Sequence, residues 1–184
     1  MSRRLDTEAT IRPIRFAHIV LKVRDIERAI DWYRTVIGME IAHHAGKIAF
    51  LTYDDEHHRI AFLELPDDAP PLDKSGPGID HLAYTYADLG QLLSTYLRLK
   101  SLNILPYWQI NHGPTTSLYY RDPDGVGVEL QVDNFESIEA LQGWMRSDTF
   151  RENPIGVPFD ADRLAERYLA GDPLEVLLAQ GATS

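Results

Sequence analysis

From residue 16 the chain alternates apolar and polar side chains. In FAHIVLKV (16–23), Ala17, Ile19, Leu21 and Val23 fall on one side and His18, Val20 and Lys22 on the other. A period of two predicts a strand with one face turned to a core. The period then changes. Ile26, Ala29, Ile30, Tyr33 and Ile37 keep helical spacing, with Asp25 placed to cap the first turn and Gly38 to stop the last. Short strands are predicted at 39–44, 47–53 and 57–65. The stretch PDDAPPLDKSGPG (66–78), rich in proline, glycine and aspartate, is a loop.

The pattern then repeats. IDHLAYTYADLGQLLSTY (79–96) lies on FAHIVLKVRDIERAIDWY (16–33) at a constant offset of 63, which puts His81 on His18, Asp88 on Asp25, Leu89 on Ile26 and Tyr96 on Tyr33. Strands are predicted again at 104–110, 115–121 and 125–132, with Asp124-Gly125 as the turn between the last two. Each half reads βαβββ, and a register kept this long points to duplication. The predicted fold is α+β: two βαβββ modules, at 15–66 and 79–135, form a curled mixed sheet with helices outside. A polar arm (1–14) precedes them, a Pro/Gly linker (67–78) joins them, and a helical tail (136–184) follows, with helices at 137–145 and 161–170. That tail reads as a lid or a dimer arm, within one structural domain overall.

Composition narrows the chemistry. At 184 residues and 44% hydrophobic, the chain has one domain's length and too much apolar content for disorder. The absence of cysteine excludes disulfides, Cys-ligated zinc or iron–sulfur sites and thiol nucleophiles. With 18 basic against 28 acidic residues there is no basic face for nucleic acid. No apolar run approaches the roughly 20 residues needed to span a bilayer, and no apolar segment follows the N-terminal arginines as in a signal peptide. A soluble cytoplasmic protein is expected. Seven histidines remain, all between residues 18 and 112.

On the strand 125–132, Val126, Val128, Leu130 and Val132 take one face, leaving Glu129 on the other with Gly127 and Gln131. A carboxylate inside a strand is costly unless its charge is compensated. His18 and His81 face the same concave side from equivalent strands. Two imidazoles and one carboxylate make the facial triad used for non-haem Fe(II) and O2. A lone strand histidine is more often a hydrogen-bonded structural residue, and Glu129 alone could be the partner of an arginine or lysine. The repeat-related placement of the histidines favours a metal.

The paired modules resemble the vicinal oxygen chelate superfamily. Within it, TSLYYRDPDGVGVELQVD (116–133) resembles the metal-ligand strand of type I extradiol (catechol-type) ring-cleaving dioxygenases. The resemblance spans about residues 16–135. It implies Fe(II), or Mn(II) in its place, on His18, His81 and Glu129. HHRIAF (57–62) is similar to the family's paired-histidine strand, which implies that His58 is the catalytic acid–base. Tyr119 matches the active-site tyrosine, and His112, in NHGPTTS, matches a histidine that contacts substrate. Three departures stand out: a shorter His112–Tyr119 spacing, a longer 66–78 loop, and no second pair of modules, as in a single-domain form. The implied reaction opens an aromatic diol next to its hydroxyls with both atoms of O2, in a homo-oligomer.

The residues suit that chemistry. A phenolic proton must be removed, for which a tyrosine near the metal is reasonable, and a proton must be shuttled at neutral pH, which suits histidine. On 57–65, His58 shares a face with Ile60, Phe62 and Glu64 and reaches the concave side if that face is inward. His57 reads as solvated, and His43 and His44 as surface or pocket wall. Glu64 opens an alternative. It precedes Leu65 as Glu129 precedes Leu130, so it is a candidate mate of Glu129. Four ligands (His18, Glu64, His81, Glu129) would resemble glyoxalase I or an epimerase, a lyase or isomerase that moves a proton without O2. A third reading is a non-catalytic small-molecule-binding resistance protein, which predicts no metal. His58 and Tyr119 favour the dioxygenase.

Overall fold

In a computed structural model describing residues 9–183, the chain divides into two compact units, one ending at Ala69 and the other beginning at Pro70. The first contains β1 (Ile19–Val23), α1 (Ile26–Ile37), β2 (Glu40–Ala45), β3 (Ile48–Thr52) and β4 (Ile60–Glu64). Its sheet runs β1-β4-β3-β2, with β1 parallel to β4 and the other pairs antiparallel. The predicted alternation holds: Leu21 and Val23 are buried while Val20 and Lys22 are exposed. Asp25 caps α1 by accepting from the Arg28 amide at 3.0 Å. Gly38 ends it at φ 82°, a left-handed conformation that favours glycine. Ile26, Ala29, Ile30, Tyr33 and Val36 form the buried stripe, and the Tyr33 ring meets Phe62 of β4 at 5.2 Å. Ile37, expected on that stripe, is only half-buried.

The second unit repeats the plan with β5 (His81–Thr85), α2 (Leu89–Ser101), β6 (Trp108–Asn111), β7 (Thr115–Arg121) and β8 (Gly127–Asp133). Asp88 caps α2 through the Gln91 amide at 2.8 Å. Strand order is again first-last-third-second, and β5 is again parallel to β8. The expected α+β fold of two βαβββ modules is present, hydrogen-bonded as two mixed sheets.

The tail holds α3 (Ile138–Met145), α4 (Asp148–Glu152), β9 (Val157–Pro158), α5 (Ala161–Leu169) and α6 (Leu174–Leu177). Helices α3 and α5 match expectation. The two-residue β9 and the short α4 and α6 are too brief for any period to reveal them. Strand β9 extends the second sheet, pairing Val157 with Asn111 and Pro158 with Ile110. Helix α5 is tied to α2, since Tyr96 donates to Asp162 at 2.9 Å and Lys100 bonds the same carboxylate. The tail is thus built into the second module. Strands 16–23, 57–65 and 104–110 begin later than expected, at residues 19, 60 and 108, so His57 and His58 lie ahead of β4. Residues 1–8 of the expected arm lie outside the described residues, and 9–14 are exposed. Among the described residues no helix is long and apolar enough to cross a membrane.

Candidate active site

In the second module the face of β8 turned toward α2 carries Val128, Leu130 and Val132, all buried. The opposite face carries the candidate site residues. Paired residues of neighbouring strands share a face, and the register sets Glu129 beside Ala83 of β5 and Tyr119 of β7, with Tyr119 beside Trp108 of β6. Glu129 is only 5% exposed. His81 Nε2 lies 3.1 Å from its Oε2. On the other side of that ring, Nδ1 is 2.7 Å from Asp80 Oδ2, a bond that holds the Asp80 carboxyl below the usual carboxylate range. Gly127 makes the approach of β5 feasible. A Cβ there would fall 2.5 Å from the Asp80 carbonyl and 2.8 Å from His81 Cβ.

This pair fits a cation. With Nδ1 donating to Asp80, an uncharged His81 aims the Nε2 lone pair at a carboxylate oxygen. Two such atoms at 3.1 Å repel unless a proton or a metal ion lies between them. A carboxylate behind a ligating histidine is also the usual support of such a ligand, fixing its tautomer. Asp80 escaped sequence reasoning, although an aspartate immediately before a candidate ligand histidine was a usable signal.

Tyr119 is buried beside the pair, its ring edge-on to His81 at 5.2 Å. Its hydroxyl is 2.9 Å from His112 Nε2, and the Glu129 carboxylate is near enough to weigh on its proton. Burial, then the Glu129 charge, pushes the phenol well above its ordinary value. Tyr119 therefore keeps its proton at neutral pH in the metal-free chain, which counts against the expected base. A cation on Glu129 would relieve part of that rise. The short His112–Tyr119 spacing is no obstacle. The β6–β7 hairpin pairs Asn111 with Thr116 and Trp108 with Tyr119, and the His112 amide donates to Thr115 at 2.9 Å. Trp108 completes the cluster, 4.9 Å from the Tyr119 ring and 5.6 Å from His112.

In the first module His18 lies just ahead of β1, its ring 4.3 Å from that of His58. The expected route for His58 is wrong. Phe62 pairs with Leu21 and packs on Tyr33, so the Ile60–Phe62 face is turned to α1. His58 instead sits in the bend before β4 and packs edge-on against Phe50 at 4.8 Å. Phe50 pairs with Ala61 and Ala61 with Val20, which places Phe50 on the face away from α1. Arg59 pins the bend by bonding Asp54 at 2.8 Å and the carbonyls of Phe16 and Ala17 at 2.7 and 3.1 Å. His58 thereby reaches the His18 side without strand alternation. Its Nε2 is buried and has no hydrogen-bond partner among the described residues, while Nδ1 meets His57 Nδ1 at 2.6 Å. Burial, then the neighbouring His18 and His57, lowers its proton affinity, which favours the uncharged ring at neutral pH. His43 contacts Phe50 at 6.1 Å, and His44 lies near Glu27 and the Gly46 carbonyl.

Glu64 is not the mate of Glu129. Val20 and Ala83 are repeat equivalents, and their ladder partners are Ala61 and Glu129. Ala61 therefore occupies the equivalent place, and Glu64 lies three residues beyond, paired with Val23. Its carboxylate accepts from the Ile26 amide at 3.2 Å and meets Lys47 Nζ at 3.5 Å, at the first turn of α1 where negative charge is favourable. Glu64→Gln should cost about 0.5–1 kcal/mol of stability and leave metal content unchanged. Metal loss as complete as in Glu129→Gln would return Glu64 to the ligand set. Within neither unit do three or more His, Asp or Glu side chains among the described residues form a group that could hold a metal.

The model of the Glyoxalase/Bleomycin resistance protein/Dioxygenase superfamily matches residues 15–130. The chain is 42% identical over 161 residues to biphenyl-2,3-diol 1,2-dioxygenase 2 of Rhodococcus globerulus, covering 88% of this chain and 85% of that protein. Biphenyl-2,3-diol 1,2-dioxygenase 3 of the same organism is 40% identical over 165 residues, with 89% and 86% covered. A probable lactoylglutathione lyase of Vibrio cholerae is 26% identical over 136 residues, covering 70% of this chain and 97% of the lyase. Among solved structures, a glyoxylase/bleomycin resistance protein/dioxygenase domain from Frankia sp. EAN1pec superposes with a TM-score of 0.57 at 19% identity, covering 68% of this chain and 96% of the domain. That likeness is one of fold.

Proposed function

The chain belongs to the glyoxalase/bleomycin resistance protein/dioxygenase superfamily, and from that premise we propose that it is an extradiol dioxygenase. Its substrate is an aromatic vicinal diol carrying a second ring, opened next to the diol with both atoms of O2 entering the product. The observation that carries this reading is the buried Glu129 facing His81 Nε2, with Tyr119 and His112 on the same sheet face. Identity of 40–42% to two biphenyl-diol dioxygenases supports it.

His81 and Glu129 would hold Fe(II), or Mn(II) by substitution, with His18 as third donor on its repeat equivalence to His81. Such an ion supplies a Lewis acid able to chelate a vicinal diol and activate O2. The remaining roles belong to the chain. Asp80 holds the His81 ring with Nε2 forward. Tyr119, protonated, donates a hydrogen bond and shields Glu129 from water. His58, uncharged and with Nε2 free, takes the diol proton and returns it during ring opening. The four-ligand lyase is disfavoured by Glu64, which is engaged at the start of α1.

The test is an oxygen electrode. Fe(II)-loaded protein mixed with biphenyl-2,3-diol and a panel of simple catechols should consume one O2 per ring, give a yellow product, and place two labelled atoms in it from 18O2. No uptake across the panel, together with isomerisation of a thiohemiacetal, would establish the lyase reading instead.

A further inference from the structure

The end of β6 is stitched into the C-terminal tail. Asn111, 4% exposed, donates to the Leu178 carbonyl at 2.8 Å, and its own carbonyl accepts from Gln180 at 3.0 Å. Gly156, at φ 107°, presses on the same strand. A Cβ there would lie 2.2 Å from the Asn111 carbonyl oxygen and 2.6 Å from His112 Cα. Asn153 closes that loop, donating to the Gly156 carbonyl at 2.8 Å and accepting from its amide at 3.0 Å. These contacts carry the Ile155 carbonyl onto Nδ1 of His112.

A carbonyl can only accept, so Nδ1 must carry a proton. In the uncharged imidazole Nε2 is then the bare nitrogen, and it is the atom 2.9 Å from the Tyr119 hydroxyl. We propose that the 153–156 loop of the tail is a positioning element for the site: the Ile155 carbonyl holds His112 in its Nδ1–H tautomer, so that Nε2 draws the Tyr119 proton toward itself. The alternative tautomer reverses the arrangement. An Nε2–H would donate to Tyr119 and turn the phenolic proton onto Glu129, where it competes with a cation for the carboxylate. The tail thus decides which of two acceptors Tyr119 serves. Asn153 and Gly156 are positioning residues, acting through a main-chain carbonyl.

The kinetic part of this inference rests on the dioxygenase reading; the tautomer does not. Ring 15N shifts of His112 in the full-length, metal-free chain above pH 7.5 should show a pyrrole-like Nδ1 and a pyridine-like Nε2. Gly156→Ala should move the ring toward Nε2–H and lower kcat by about 10- to 100-fold with KM for the diol little changed. Asn153→Ala, a gentler disturbance, should shift both in the same direction and decides the matter if Gly156→Ala does not fold. An Nε2–H ring in the unaltered chain, or a wild-type ring and kcat in folded variants, overturns the proposal. Expected shifts without O2 uptake on any diol would sink the dioxygenase reading and leave the tautomer assignment standing.

Discussion

Glu129→Gln is expected to lose bound Fe(II) and ring cleavage together, to background, in a chain that stays folded. Glu129 sits inside β8 between Val128 and Leu130, and its carboxylate is almost wholly removed from water. A buried carboxylate is costly to keep charged, so a near-isosteric amide should not unfold the metal-free protein and should raise its melting temperature if it changes it at all. What disappears is the charge that balances a divalent ion. Metal analysis after anaerobic reconstitution reads the outcome directly, and His81→Ala should match it because Nε2 is the other donor at the gap. Full metal content in folded Glu129→Gln would remove the carboxylate from the ligand set and the proposed function with it.

His58→Gln should keep its metal and bind diol, yet lose turnover by about 10²- to 10⁴-fold, the usual contribution of a general acid–base. The buried, unpartnered Nε2 carries this expectation, together with the ring packed on His18. The pH dependence has a definite sign. Because burial and the neighbouring histidines depress its proton affinity, any acidic limb of kcat/KM that His58 carries lies below pH 6.5 and vanishes in the variant. His57, whose side chain is 67% exposed, meets His58 at Nδ1 and leaves its Nε2 unpartnered, so His57→Gln should change turnover only a few-fold. A crippled His57→Gln beside a normal His58→Gln would exchange the two roles.

Local signals made much of this protein legible from its sequence. Alternation in 16–23 and 125–132 set which side chains face a helix. Asp25, Asp88 and Gly38 marked helix ends because capping involves residues only a few positions apart. The repeat carried His18 onto His81, and period-two alternation put Glu129 opposite the valines. Family likeness of 116–133 then pointed to Tyr119 and His112, which the β6–β7 hairpin does bring together.

Other assignments needed the fold. The offset of 65 between Glu64 and Glu129 looked like the repeat, but the last strands are related by 68, Ala61 to Glu129, because the turns before them differ in length. His58 followed a bend held by Arg59, which alternation cannot describe. Tyr119 looked like a base from its residue type, whereas burial beside Glu129, which favours the protonated phenol, is visible only in the fold. The bond from His112 to the Ile155 carbonyl joins residues 43 apart, and that from Asn111 to the Leu178 carbonyl residues 67 apart. Every residue carries such a carbonyl, so no residue type announces these bonds. Periodicity and caps are short-range and written in side chains, and the sequence determined the two modules, their buried faces and most of the candidate site residues. Which nitrogen of His112 holds its proton, and where Glu64 and His58 point, were decided by main-chain geometry between distant segments, and only the tertiary structure contains that.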